Sequence, residues 1–199
     1  MFELPTQLEI GGKLHAIRNN GDFRMVLDCF RELNSVELDD TGRVLSSLTI
    51  FYAEITDPVD VFEIFGNHYT EAAQKMMWFF NCGQETFGNR TNYILVDWEK
   101  DQQLIAGAVN AVAQKEIRTL DYLHWWTFMG YYSEIHDSAW NAIVSVRYKI
   151  KAGKKLEKEE LKFKNENPEY FIWDSKSVHE KEDEELIVEI WNNNSKKEV

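Results

Sequence analysis

Apolar residues recur at helical spacing through most of the chain. After Asp22, five of them fall three or four positions apart: Phe23, Val26, Leu27, Phe30 and Leu33. This spacing places them on one face of an α-helix, and the Asp22 side chain can accept a free backbone N–H at its start. The same period predicts further helices from Thr41 to Pro58, from Thr70 to Gly83, from Asp97 to Ile117, from Asp121 onward and from Ser138 onward.

The N-terminal residues follow a different pattern. Apolar residues flank the pair Gly11-Gly12, which tolerates the positive φ angles of a tight turn, so this region is predicted to form a β-hairpin. The helix from Asp121 is apolar nearly all round, which is typical of a central element. The predicted fold class is therefore mainly α, with a single helical domain over residues 1–152 that carries a small N-terminal β-hairpin.

A compositional shift at Gly153 marks the start of a charged extension, residues 153–199. Nearly every residue from Lys154 to Asn167 is charged or an amide, which favours a solvated helix or a linker. Two apolar patches interrupt the extension and are the candidate partner-binding residues: Tyr170, Phe171, Ile172 and Trp173, then Leu186, Ile187, Ile190 and Trp191. Such patches can order on binding a partner, although each equally fits a segment that folds back onto the helical core.

The charge of the chain excludes two classes of partner. There are 22 Lys and Arg residues against 34 Asp and Glu, which gives a formal net charge of −12. A duplex nucleic acid or an anionic membrane surface needs clustered basic residues, so neither is expected as a partner. The first residues lack the features of a signal peptide, and no apolar run approaches the ~20 residues that span a bilayer. We therefore expect a soluble intracellular protein.

Candidate catalytic chemistry is sparse. Asp97 and Asp101 are one helical turn apart, and with His124 and His136 they could form the site of a small metal-dependent hydrolase. The spacing of the two histidines matches no helical ligand pair, and a capping Asp with a solvated neighbour explains the carboxylates more simply. The sequence contains no phosphate-binding loop and no nucleophile motif. We therefore expect no enzyme activity, no catalytic residues, no metal and no cofactor.

Cysteine and aromatic residues are assigned to the core. Cys29 and Cys82 have apolar neighbours in the sequence, which is typical of buried, reduced thiols. The aromatic stripe from Trp125 to Tyr132 could stack the bases of a single strand, but no basic groove accompanies it. Core packing is therefore the preferred interpretation of the stripe.

Two blocks of residues resemble a known family. The first block is Leu4-Pro5, Ile10-Gly11-Gly12, Ile17 and Asp22-Phe23-Arg24, and the second is Asp97-x-x-x-Asp101, Ile105, Ala108, Leu123-His124-Trp125-Trp126-x-Phe128 and the stretch from Ile143 to Arg147. They resemble the tail assembly chaperone-like proteins of long-tailed phages (siphoviruses) and prophages of Gram-positive bacteria, which are usually encoded next to the tape measure protein. The similarity covers roughly Leu4 to Ile150, and its most specific part is the string from Leu123 to Phe128.

The resemblance implies a non-enzymatic chaperone that keeps the tape measure protein soluble and promotes tail tube assembly. The implied partners are the tape measure protein, the tail tube protein and further copies of this chain. The implied location is the cytoplasm of the bacterial host, with no place in the mature virion. A structural component of the tail is the alternative, and the hydrolase described above is a third interpretation. The family has no catalytic residues to transfer.

Overall fold

The computed structural model describes residues 3–84 and 95–172. These residues are mainly helical, with one two-stranded antiparallel hairpin near the N-terminus, which confirms the predicted fold class. The described residues divide into two compact units: the first contains 3–84 and Asp121–Met129, and the second contains 95–120 and 130–172. The predicted boundary at residue 152 concerns which part of the chain folds independently, and it stays a prediction.

The hairpin of the first unit pairs β1 (Gln7–Ile10) with β2 (Lys13–Ala16). Gly11 and Gly12 connect the strands with φ angles of +56° and +76°, the backbone conformation that the predicted Gly-Gly turn requires. Side chains alternate between the faces: Leu8 and Ile10 are buried, whereas Leu14 is 69% exposed. The hairpin therefore has one apolar face that packs and one that does not.

Two helices follow the hairpin, α1 (Phe23–Leu33) and α2 (Asp40–Phe51), and they pack against each other. Asp22 caps α1 as predicted, because its side chain accepts the backbone N–H of Arg24. The predicted end of α2 at Pro58 is wrong. The helix ends at Phe51 because Tyr52 takes an extended conformation and forms a β-bridge with Ile17.

The first unit also contains α3 (Asp60–Phe65) and α4 (Tyr69–Phe80). Gly83 closes α4 as predicted: its φ is +77°, and its N–H donates to the Trp78 carbonyl at 2.9 Å. Thr70 does not cap α4, because the helix begins at Tyr69 and His68 takes the capping position.

The second unit contains α5 (Gln102–Ala113), α7 (Ala139–Lys151) and α8 (Lys158–Glu166). Between α5 and α7 in sequence, helix α6 (Trp125–Ser133) has its residues up to Met129 in the first unit and the rest in the second. Ser138 caps α7 as predicted, since its side chain accepts the N–H of Asn141. The helix predicted from Asp97 to Ile117 is shorter at both ends, because residues 98–101 form a turn and Gln114 is left-handed.

The core of the first unit is aromatic and aliphatic. Its fully buried side chains include Ile17, Val26, Leu48, Phe51, Tyr52 and Phe79. Arg18 donates hydrogen bonds to the carbonyls of Thr49, Ile50, Tyr52 and Ile55, which satisfies acceptors at the end of α2. Within residues 3–84 and 95–172, no helix has both the length and the apolar character to span a membrane.

The two cysteines are free thiols, as expected for reduced residues. Cys29 is buried, and burial raises the pKa of its thiol far above the ordinary value. Cys82 is half-buried, and burial raises the pKa of its thiol to about 11. Both thiols are therefore protonated and poorly nucleophilic at neutral pH.

Gly21 is expected to be the glycine of the first unit that least tolerates a side chain. Its φ is +77°, and a Cβ there would lie 2.6 Å from Cζ of the buried Phe79 ring. Gly21→Ala should therefore lower the free energy of unfolding by about 2–5 kcal/mol, the sum of left-handed strain and overpacking. Urea-induced unfolding followed by tryptophan fluorescence measures this loss.

Gly12→Ala is the matched control for this prediction. Its φ of +76° is almost the same, but a Cβ there meets no atom within 4 Å. The substitution should cost only the left-handed strain, about 1–2 kcal/mol. Equal losses for the two variants would contradict the close approach of Gly21 to Phe79.

Candidate functional site

Asp22 connects two distant parts of the first unit. One carboxylate oxygen accepts the N–H of Arg24 at 3.0 Å, and the other accepts the N–H of Leu123 at 2.9 Å. The Arg24 guanidinium also donates to both oxygens. The Phe23 N–H donates to the Leu123 carbonyl, and residues 22 and 124 form an antiparallel bridge. The two strings that carry the family resemblance in this unit therefore bind each other.

His124 is engaged through both ring nitrogens. Its Nε2 lies 3.1 Å from the Pro5 carbonyl, and its Nδ1 accepts the N–H of Trp126 at 3.0 Å. These partners require the neutral tautomer with the proton on Nε2, because a carbonyl only accepts and an N–H only donates. Burial lowers the pKa of His124, against smaller opposing effects of the Pro5 hydrogen bond and the Asp22 charge. His124 is thus a neutral residue that holds backbone segments together.

The two tryptophans after His124 satisfy the end of α4. The Trp125 indole N–H donates to the Phe80 carbonyl at 2.9 Å, and the Trp126 indole N–H donates to the Phe79 carbonyl at 2.8 Å. The Trp125 ring is stacked on Phe128 at 5.5 Å. Trp125 and Phe128 are buried and Trp126 is half-buried, so the structure supports the core-packing interpretation of this part of the aromatic stripe.

The second unit contains a buried ion pair that the sequence did not reveal. Arg147 donates to both carboxylate oxygens of Asp101, at 2.6 and 2.9 Å, and the two residues are 6% and 2% exposed. Arg147 also donates to the carbonyls of Leu95 and Tyr170, each at 2.9 Å. The guanidinium thus connects α7 to the turn before α5 and to the residues after α8.

Arg147 is a charged residue on the buried, apolar face of α7. A signal for its burial was present, because Arg147 lies four residues after Ile143 and seven after Trp140, both of them buried. A charged residue on the apolar face of a helix requires a buried partner. The identity of that partner, Asp101, depends on the packing of α5 against α7.

The four residues of the alternative hydrolase have separate structural roles and are not described as one site. Asp97 accepts the N–H groups of Glu99 and Lys100 and so caps an exposed turn, whereas Asp101 pairs with Arg147. His124 belongs to the first unit, and the His136 side chain, in the second, is 73% exposed. In the described part of the chain, no group of three or more His, Cys, Asp and Glu side chains is placed to hold a metal ion.

The first predicted partner-binding patch is partly anchored and partly exposed. The Tyr170 carbonyl accepts a hydrogen bond from Arg147, and the ring centroids of Phe171 and Phe163 are 5.9 Å apart. Ile172 is 67% exposed, and Leu161 on α8 is 48% exposed. The other predicted partner-binding residues lie outside the described residues: Trp173, Leu186, Ile187, Ile190 and Trp191. The described end of the second unit therefore presents aliphatic side chains on an anchored backbone.

Residues 2–170 match a protein family described as Bacteriophage Gp15 protein. The chain belongs to this bacteriophage Gp15 family. No curated protein and no solved structure matches it. The expectation of a bacteriophage family is confirmed, and the family match covers both blocks of residues that carried the resemblance. Residues of both blocks form contacts within the units, as Asp22 does with Leu123 in the first and Asp101 with Arg147 in the second.

Asp101→Asn is expected to lower the free energy of unfolding of this Gp15 protein by about 3–5 kcal/mol, because it leaves a buried guanidinium without a counter-charge. Asp97→Asn is the matched control on the same turn: it weakens two hydrogen bonds at an exposed position and should cost at most about 1 kcal/mol. Chemical denaturation of the two variants beside the parent chain measures the difference. Similar losses would contradict the structural role of the Asp101–Arg147 pair.

His124 is expected to contribute to acid sensitivity. Because its pKa is lowered in the folded chain, the unfolded chain binds the extra proton first as pH falls below about 6.5. Above that pH, His124 makes its full contribution to the free energy of unfolding. As pH falls toward the pKa of His124 in the folded chain, this contribution decreases by at most about 1.4 kcal/mol per pH unit. His124→Gln should therefore show a smaller decrease in unfolding free energy between about pH 7.5 and about pH 5.5.

The control for the pH experiment is His136→Gln, whose side chain is largely exposed. This variant should keep the pH dependence of the parent chain. An unchanged pH dependence in His124→Gln would show that His124 is not held neutral by its surroundings.

Proposed function

We propose that this Gp15 protein is a non-enzymatic tail assembly chaperone that keeps the tape measure protein soluble and promotes tail tube assembly. The observation that carries the proposal is the end of the second unit, where Ile172 is exposed on a backbone anchored by the Arg147–Tyr170 hydrogen bond. An exposed aliphatic side chain on a fixed backbone can bind an apolar segment without the full cost of ordering its own chain. The proposed location is the bacterial cytoplasm.

The net charge supports the same proposal. At −12, copies of the protein and of its complexes repel one another, which opposes aggregation of a bound apolar cargo. The partners proposed on this basis are the tape measure protein, the tail tube protein and other copies of the chain. Neither a nucleic acid nor a membrane is proposed as a partner, because the charge is acidic.

The polar residues of the alternative hydrolase are engaged in ways that favour a non-enzymatic role. Asp101 is bound to a guanidinium, and both ring nitrogens of His124 are bound to backbone groups. A general base needs a lone pair that can reach a substrate proton. Recruiting either residue would first require breaking a buried contact.

Co-expression with the tape measure protein tests the proposal. The parent chain should raise the soluble fraction of the tape measure protein several-fold over expression without it. Ile172→Glu should remove most of this gain, because a charge at residue 172 cannot enter an apolar contact. Leu14→Glu is the matched control: Leu14 is 69% exposed, like Ile172 at 67%, but lies on the hairpin of the first unit.

The outcome decides between the candidate functions. Equal soluble fractions with and without the parent chain would contradict the chaperone role. Mass spectrometry of purified phage particles provides the second readout. A chaperone should be missing from the particles, whereas a stoichiometric amount of the protein would identify a structural tail component.

A further inference from the structure

Helix α3 exposes apolar side chains on one of its sides. Val59 is 64% exposed and Phe62 is 49% exposed. Val59 has helical backbone angles directly before α3, so it lies about one turn from Phe62 on the same side of the helix. The ring centroids of Phe62 and the half-buried Tyr69 are 5.5 Å apart. These three residues are called the α3 face below. Val61 and Phe65 are buried on the opposite side of α3 and hold the helix in the first unit.

The stretch of sequence that contains this face carries charge of one sign. Residues 44–74 include five Asp or Glu residues and no Lys or Arg. Two of the five acidic side chains are hydrogen-bonded to histidines, Glu54 to His15 and Glu71 to His68. The other three lie in or directly before α3. The negative charge of this stretch is therefore concentrated next to the exposed apolar side chains.

The three remaining carboxylates form an acidic border of the α3 face. They are Asp57, Asp60 and Glu63, and their spacing of three residues keeps them near one side of the helix. None of them has a Lys or Arg partner among the described residues. Hydrogen bonds from Thr56 and, to a smaller extent, from Asp57 lower the pKa of the Asp60 carboxyl, so this group stays ionised at neutral pH. The border is therefore a set of charges available to a partner.

The combination of exposed apolar side chains and uncompensated acidic charge selects one kind of partner. A single exposed apolar residue is ordinary on a protein surface. Leu14 is such a residue, since it follows Lys13 and lies opposite Glu9 in the hairpin, so charges of both signs surround it. At the α3 face, in contrast, apolar contact can supply affinity, while the carboxylates repel acidic segments and attract basic ones. An amphipathic helix with an apolar side bordered by Lys or Arg matches both features.

We propose that the α3 face binds a basic amphipathic helix of another protein, with apolar side chains on Val59 and Phe62 and basic side chains beside Asp60 and Glu63. This binding does not depend on the chaperone role, which is proposed from Ile172 in the second unit, so either proposal can fail without the other. Because the acidic border is exposed, the affinity falls as salt screens the charges.

Titration with a designed peptide tests the proposal. The probe is a synthetic helix of about 14 residues, or about four turns, with leucine on one side and lysine on the other; its counterpart has glutamate in place of lysine. Each peptide is added to the ¹⁵N-labelled full chain at physiological ionic strength, and the amide chemical shifts are followed by NMR. The lysine peptide should shift the amides of residues 57–69 until they saturate, and the glutamate peptide should not. Unsaturable shifts, shifts centred elsewhere, or equal binding of both peptides would overturn the proposal.

Substitution of Phe62 distinguishes apolar docking from general charge attraction. Phe62→Ser keeps every charge and should weaken binding of the lysine peptide about tenfold, the amount that one large apolar side chain contributes. Leu14→Ser is the matched control on the hairpin and should bind like the parent chain. Thermal unfolding is measured for each variant, and Val59→Ser, at a more exposed position, replaces Phe62→Ser if that variant is unstable. Equal affinities of the α3 variant and the Leu14 control would overturn the apolar docking.

Substitution of Glu63 tests the selection by charge. Glu63→Gln should weaken binding of the lysine peptide several-fold at low salt, and the difference from the parent chain should shrink as salt rises. Glu169→Gln is the control, because Glu169 is exposed in the second unit and should not contact the peptide. Equal affinities of these two variants at low salt would overturn the proposal of a basic partner.

Discussion

The first unit depends on a buried carboxylate that is shared between residues a hundred positions apart in the chain. Asp22 caps α1 through the N–H of Arg24 and accepts the N–H of Leu123 through its other oxygen. A carboxylate removed from water needs several such donors, and Arg24 supplies the counter-charge. Asp101 has a similar role in the second unit: its carboxylate accepts the N–H of Asp97 and pairs with the guanidinium of Arg147. In both units, one aspartate fixes the start of a helix against a distant segment.

Local patterns in the sequence predicted the elements but not where they end. Asp22 and Ser138 are caps at the predicted positions, and Gly83 closes α4, since these signals act within one helical turn. The predicted extension of α2 failed because Tyr52 pairs with Ile17, a contact between residues far apart in sequence. The helix predicted from Asp121 begins at Trp125 for the same reason: His124 forms a β-bridge with Asp22. Apolar period alone contains no information about such pairing.

The candidate site was predictable to a similar extent. The family match covers the residues that carry the resemblance, and several of them form hydrogen bonds or ring stacking within the units. Such residues report a fold and not an activity. Among the described patch residues, only Ile172 is largely exposed. The Tyr170 carbonyl before it accepts a hydrogen bond from the buried Arg147, a contact between residues distant in sequence that no local pattern encodes. Position in the tertiary structure thus decided which apolar residue is available to a partner.

The tryptophans show why aromatic content is weak support for a ligand site in this protein. Trp125 donates its indole N–H to the Phe80 carbonyl at the end of α4, and Trp126 donates to the Phe79 carbonyl, which also accepts the N–H of Cys82. Phenylalanine would preserve most of the packing but would remove the donor, so it is not a conservative replacement here. Each tryptophan therefore provides apolar contact and a donor to the same helix end. A surface for a partner has to come from elements whose side chains are not already used for core packing and hydrogen bonding. Helix α8 is such an element, because none of its residues is fully buried.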